Sequence, residues 1–95
     1  MFKPLDLLLH SELRLAIISL LIGVNEADFG FLKAKTGASS GNLSIQIQKL
    51  SSAGYISINK SFKANYPLTT CRITEKGIQA FENYVEAIKS YIEKT

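Results

Sequence analysis

Apolar residues recur along the chain at spacings that change from one stretch to the next, and each spacing predicts an element. Between Ser11 and Ile22, Leu13, Ala16, Ile17, Leu20 and Leu21 share one face at about 100° per residue, while Leu15, Ile18 and Ile22 fall elsewhere. Ser11 suits an N-cap and Gly23 a stop, so a helix is expected over 11–22, after a short segment at Leu5–Leu9. A helix in a small domain has one core to face. The surplus of apolar side chains therefore argues for burial against something else, such as a partner subunit.

Asp28 is placed to cap a second helix, "FGFLKAKT", with Phe29, Leu32 and Phe31 turned inward and Gly37 at its end. Ala38-Ser39 opens a third, Ser40 to Ala53, closed by Gly54 and carrying Leu43, Ile47 and Leu50 at steps of four and three. Two short helices joined by a Gly-containing turn match the helix-turn-helix, and by spacing alone they match an ordinary helical hairpin equally well. The following residues favour the former. "YISINKSF", Tyr55 to Phe62, alternates as a half-buried strand, "KANYP" is rich in turn formers, and "LTTCRIT" reads as the returning strand. A helix-turn-helix followed by a two-stranded hairpin is a winged helix, the hairpin tip being the wing.

Thr74 and "EKG" start a last helix expected to reach about Lys94. Ile78, Phe81, Val85, Ile88 and Ile92 step by three and four along it, and Tyr84 and Tyr91 widen the seam. This stripe either covers the domain's own core or joins the surplus of the first helix in a homodimer interface. The shared explanation is preferred, with Leu15, Ile18, Ile22, Ile78, Phe81, Tyr84, Val85, Ile88, Tyr91 and Ile92 as its residues. The expected class is thus α+β, mainly α: one winged helix-turn-helix domain with a two-stranded wing and a long C-terminal dimerisation helix. Residues 1–10 form its N-terminal segment, 11–74 the winged core and 75–95 the dimerisation helix.

Composition narrows the function. The chain has 95 residues, enough for one core, and a single cysteine, Cys71, which rules out an internal disulfide and a multi-cysteine metal site. A catalytic thiol needs a His partner, and the only His, His10, is distant in sequence. No acid pair, nucleophile-base set or phosphate loop is present, so neither an enzyme nor a cofactor is expected. The longest apolar run, Leu13 to Val24, is too short for a bilayer and is broken by Arg14 and Ser19. "MFKPLDLLLH" is not built like a secretory signal, and a cytoplasmic location is the expectation.

The net charge is only +3, but its distribution is uneven. From Phe29 to Thr74 there are six basic residues, Lys33, Lys35, Lys49, Lys60, Lys63 and Arg72, and no acid. A polyanion would meet no like charge in that segment and would be held by counterion release. Opposite Leu43, Ile47 and Leu50, the third helix carries Gly41, Asn42, Ile45, Gln48, Lys49 and Ser52, flanked by Ser44 and Gln46. Ordinary solvated helix faces carry Glu, Lys and Arg; this one carries groups that both donate and accept hydrogen bonds. Asn and Gln can pair bidentately with adenine, Ser serves either role, and Ile45 suits a thymine methyl. Ser40, Asn42, Ser44, Ile45, Gln46 and Gln48 are therefore the candidate base contacts of double-stranded DNA. Ser39, a cap first and a contact second, joins Lys33, Lys35, Lys49, Lys60 and Lys63 as a candidate phosphate contact. Arg14 either reaches phosphate or pairs with an acid such as Glu12. The competing class is a winged-helix protein-interaction module that uses the Ile45 surface or an unpaired hairpin edge.

The chain also resembles a family, the winged helix-turn-helix transcriptional regulators of bacteria and archaea related to the MarR and ArsR groups. The resemblance lies in "LDLLLHSELRLAIISLL", "GNLSIQIQKLSSAGYI" and "TTCRITEKGIQAF", and spans roughly Leu5 to Ala87. It implies a dimer that binds operator-like DNA and represses or activates a gene, and no catalysis. Members of the arsenic-repressor branch sense metal through clustered Cys or His, which this sequence lacks. Where the resembling wings carry consecutive arginines around a Pro, this chain has Asn65 and Tyr66 before Pro67 and Leu68 after it. Lys60 and Lys63 are the nearest cations.

Overall fold

The middle of the molecule is occupied by α1 (Glu12–Val24), around which every other element except β2 gathers. The computed structural model describes residues 1–93, in which α1 is followed by β1 (Glu26–Asp28), α2 (Phe29–Thr36), α3 (Ser40–Ser52), β2 (Ile56–Lys63), β3 (Tyr66–Ile73) and α4 (Glu75–Ile92). Ile17, Ile18 and Leu21 of α1 are fully buried, and Leu13, Leu15, Leu20 and Ile22 pack partly buried against the same core. The surplus expected to need a partner is largely absorbed here, because α1 faces α2, α3, α4 and the sheet instead of one wall. Ile18, expected at a subunit interface, fills its own chain's core.

The boundaries of α1 also differ from expectation. Ser11 has the extended backbone of an N-cap, but its hydroxyl makes no capping bond. Gly23 lies inside the helix, and the chain turns at Asn25, whose φ of 69° a short polar side chain tolerates. Asn25 then accepts a bond from the Ile73 amide at 3.0 Å, fixing the entry into β1.

The sheet is antiparallel with three strands in the order β1-β3-β2, one more than the hairpin read from sequence. β1 has only three residues, with Ala27 inward between exposed Glu26 and Asp28, too few for a sequence pattern to announce a strand. β2 and β3 pair from Ile56 opposite Ile73 to Lys63 opposite Tyr66. Ala64 and Asn65, at φ of 50° and 68°, form the connecting turn, whose positive angles match the twist of a two-residue hairpin. Ile56, Cys71 and Ile73 bury the base of this hairpin, whereas every residue from Asn59 to Pro67 is exposed. The wing therefore stands clear of the body on both faces.

Capping follows the sequence at three helices. Asp28 accepts from the Phe31 amide, Ser39 from the Asn42 amide and Thr74 from the Gly77 amide. Gly37, at φ 71°, ends α2 in the left-handed conformation that glycine adopts without strain. α4 is helical to Ile92; its expected end at Lys94 lies outside the described residues. At its start Gly77 is buried so tightly that a Cβ would overlap the Tyr55 carbonyl and crowd Ile73. The N-terminal segment lies along α4, with Phe2 stacked on Tyr91 at 4.7 Å and the Lys3 amide bonded to Ser90.

Candidate nucleic-acid interface

α3 is seated by Leu43, Ile47 and Leu50, all buried, each stabilising the domain by about 1.5–3 kcal/mol. This seating decides which side chains face outward. Ser40, Gly41, Asn42, Ser44, Ile45, Gln48, Lys49 and Ser52 are all exposed, and Ile45 is bare over 56% of its surface. Ser39 spends its hydroxyl on the α3 cap, 3.2 Å from the Asn42 amide.

Gln46 departs from the expected pattern. It is half-buried, accepts a 2.5 Å bond from the Arg14 guanidinium and donates at 3.0 Å to the Asn42 side-chain oxygen. Arg14 also donates to the Leu8 carbonyl at 2.6 Å, so its charge is committed to joining the N-terminal segment, α1 and α3. Neither a free phosphate contact nor the Glu12 pair describes Arg14: it positions α3. With its side-chain oxygen held by Gln46, Asn42 remains exposed on the outer face of α3. Gln46, expected among the base contacts, spends its side-chain amide within the fold, on Arg14 and Asn42. The link joins residues 32 apart, and no local pattern in the sequence announces it.

The cations surround α3 unevenly. Lys33 and Lys35 are exposed on the last turn of α2, with Lys35 5.7 Å from the centre of the Phe31 ring. Lys60 lines an open cleft between α3 and the wing together with Ser44, Gln48, Pro67 and Thr69, and Lys63 is exposed at the wing tip. The acid-free stretch is less free in space than in sequence, because β1 returns two carboxylates to it. Glu26 pairs with Arg72 at 3.0 Å, neutralising that cation, and Asp28 reaches the cleft wall while its carboxylate caps α2.

A second exposed feature is an apolar groove between α1 and α4, lined by Leu15, Ser19, Phe81, Tyr84, Val85, Ile88, Lys89 and Ile92. It gathers most of the residues expected in a dimer. Ile78, Phe81, Ile88, Leu15 and Ile22 also pack against the chain's own core, and Tyr84 is buried with its hydroxyl 2.9 Å from His10 Nδ1. Tyr91 stacks on Phe2 outside the groove. Of the apolar groove residues, Val85 and Ile92 are the two not packed against the chain's own core.

Tyr55 and Cys71 have shifted acidities for different reasons. Burial, reinforced by the bond to Asp6 and its charge, pushes the Tyr55 phenol up to about 12. Burial alone pushes the Cys71 thiol up to about 11, keeping it a neutral core group. Among the described residues no cluster of His, Cys, Asp and Glu could hold a metal ion, and no helix is long and apolar enough to cross a membrane.

A family model described as a winged helix DNA-binding domain matches residues 13–92. An uncharacterized protein of Methanocaldococcus jannaschii is 35% identical over 79 residues, which cover 83% of this chain and 86% of that protein. The structure of a transcriptional regulator homologue from Pyrococcus horikoshii superposes with a TM-score of 0.84 at 25% identity, covering 92% of this chain and 86% of that one. The AntR antimony-specific transcriptional repressor superposes with a TM-score of 0.64 at 18% identity, covering 92% of this chain and 76% of the repressor, a likeness of fold.

Proposed function

The chain belongs to the winged helix DNA-binding domain family, and from that premise we propose that it is a homodimeric transcription regulator recognising a specific double-stranded operator. Each α3 enters a major groove, and the two grooves lie about 34 Å apart on a pseudo-palindromic site. The observation that carries this reading is the outer face of α3: exposed Asn42, Ser44, Ile45 and Gln48, with no carboxylate among them. Asn42, steadied by Gln46 and Arg14, and Gln48 read adenine edges; Ile45 packs on a thymine methyl. Lys33, Lys35 and Lys49 neutralise phosphates, and the free amides at the start of α3 favour another. The role is binding, with no reaction catalysed.

The groove between α1 and α4 is the proposed site of pairing, with Val85 and Ile92 as its apolar residues not packed on the chain's own core. Val85→Glu with Ile92→Glu is expected to give monomers by sedimentation; an unchanged dimer places the interface elsewhere. The central experiment is selection of duplexes from a random pool at low and moderate salt, followed by sequencing. Paired half-sites one helical turn apart are expected. A folded protein that retains no duplex overturns the reading, and retention unaffected by combined Lys33→Glu, Lys49→Glu and Lys63→Glu favours a protein partner instead.

A further inference from the structure

The outer half of the wing carries two of the most exposed large apolar side chains of the domain, Phe62 at 78% and Tyr66 at 76%. A hairpin that projects into water is usually blunted by charge, since bare apolar tips invite association. Here the strand register gives the aromatics distinct positions. Phe62 lies opposite Pro67, and alternation puts this pair on the same hairpin face as Ile56, Ile58 and Cys71, the face that is covered at the hairpin base and bare at the tip. Lys63 and Tyr66 form the next pair, on the other face. The cleft between α3 and the wing is lined by Ser44 and Gln48 on one wall and by Lys60 and Pro67 on the other, with Asp28, its carboxylate engaged in capping α2, at the α2 side. The Phe62–Pro67 pair thus extends outward from the wing wall of the groove that contains the α3 reading face.

Reach and charge identify the occupant. From Ile58, the last half-covered residue of β2, the strand runs on to Lys63, about 17 Å at the usual rise per residue. That is about half of the 34 Å helical repeat of DNA, the step from a major groove to the neighbouring minor groove. Lys60 and Lys63 flank Phe62, and the hairpin from Ile56 to Ile73 contains no acid. Both turn residues sit at positive φ, which holds the strands closely paired up to the tip.

We propose that Phe62, backed by Pro67, is an apolar wedge that enters the minor groove beside the major groove occupied by α3, with Lys60 and Lys63 on the bordering phosphates. The proposal rests on the DNA-binding reading above. An inserted ring partly unstacks one base step, and flexible pyrimidine–purine steps yield most readily. The wing then contributes selectivity without hydrogen-bonding to a base and without arginine.

The chain contains no tryptophan, so Phe62→Trp supplies a single reporter at the tip. With a duplex recovered by selection from a random pool, its emission is expected to be quenched and shielded from acrylamide. Phe62→Ala is expected to bind the same duplex roughly ten- to hundredfold more weakly. Its slope of log affinity against log salt should stay unchanged, whereas Lys63→Ala lowers that slope by about one. Unchanged tryptophan emission in the complex, or equal binding by Phe62→Ala and wild type, overturns the wedge while leaving the DNA reading intact. Wild-type protein that retains no duplex overturns both. Loss of self-association in Phe62→Ala by sedimentation assigns the tip to a second copy and likewise overturns the wedge.

Discussion

α3 and the wing border the same cleft, yet they are held in opposite ways. α3 is fixed from below by three buried aliphatics, at its start by Ser39, and along its flank by the Arg14–Gln46–Asn42 chain. The wing beyond Ile58 has only its own ladder and a two-residue turn. Side chains that discriminate between bases need fixed positions, because a misplaced amide forfeits its partner. In the proposed complex, a wing that wedges into a deformable minor groove gains from being free to adjust. In that proposal the division of labour follows what each element is packed against.

Core truncation should separate the two regions most sharply. Leu43→Ala is expected to cost about 3 kcal/mol in urea unfolding, because it leaves a cavity beneath α3. Phe62→Ala should change stability by less than about 0.5 kcal/mol, since its ring touches solvent. Equal costs would mean that the wing is packed like the core.

Arg14→Ala acts on the same side with a smaller effect, about 1–2 kcal/mol from the loss of its bonds to Gln46 and Leu8. Under the proposed DNA reading, its more informative readout is discrimination at the base assigned to Asn42, which should relax as Asn42 loses its support. Selected sequences identical to the wild type's would separate Arg14 from recognition.

Alkaline pH tests the anchoring of α3 at its far end, where Tyr55 donates to Asp6. Tyr55 and Cys71 hold their protons more tightly folded than unfolded, so the stability they supply is full below their ordinary values. It is lost as pH rises through about 9 to 11 for Cys71 and about 10 to 12 for Tyr55. Thermal melts should therefore fall over that range, and Tyr55→Phe should flatten its upper part.

The smallest effect belongs to the wing. Ala64 occupies φ 50°, which costs a side chain with a Cβ about 1 kcal/mol, so Ala64→Gly should recover up to about 1 kcal/mol in unfolding. A loss would show that the turn is not held as described.

Much of this was legible in the chain. The 43, 47, 50 spacing, the caps at Asp28, Ser39 and Thr74 and the alternation after Tyr55 are local signals, and each element forms close to where they place it. What escaped depends on distant partners. β1 exists because Ala27 meets Cys71 across the fold. Arg72 loses its free charge to Glu26, 46 residues away, and Gln46 turns toward Arg14. Ile18 and Tyr84 looked like surplus only while the number of walls around α1 was unknown. The direction of α3's outer face could be read because helical geometry fixes it once the buried stripe is known; the second layer behind that face could not.

Gly77 makes one consequence of this architecture concrete. With no side chain between them, the first turn of α4 rests directly on the backbone of Tyr55, and Thr74 ties the same place to the Gly54 carbonyl. A hinge needs slack, and this joint has none. The end of α3 and the beginning of α4 meet there like two arms of one bracket. In the proposed dimer, the angle at which two α4 helices cross therefore sets the distance between the two reading heads, and hence the operator spacing the pair can span.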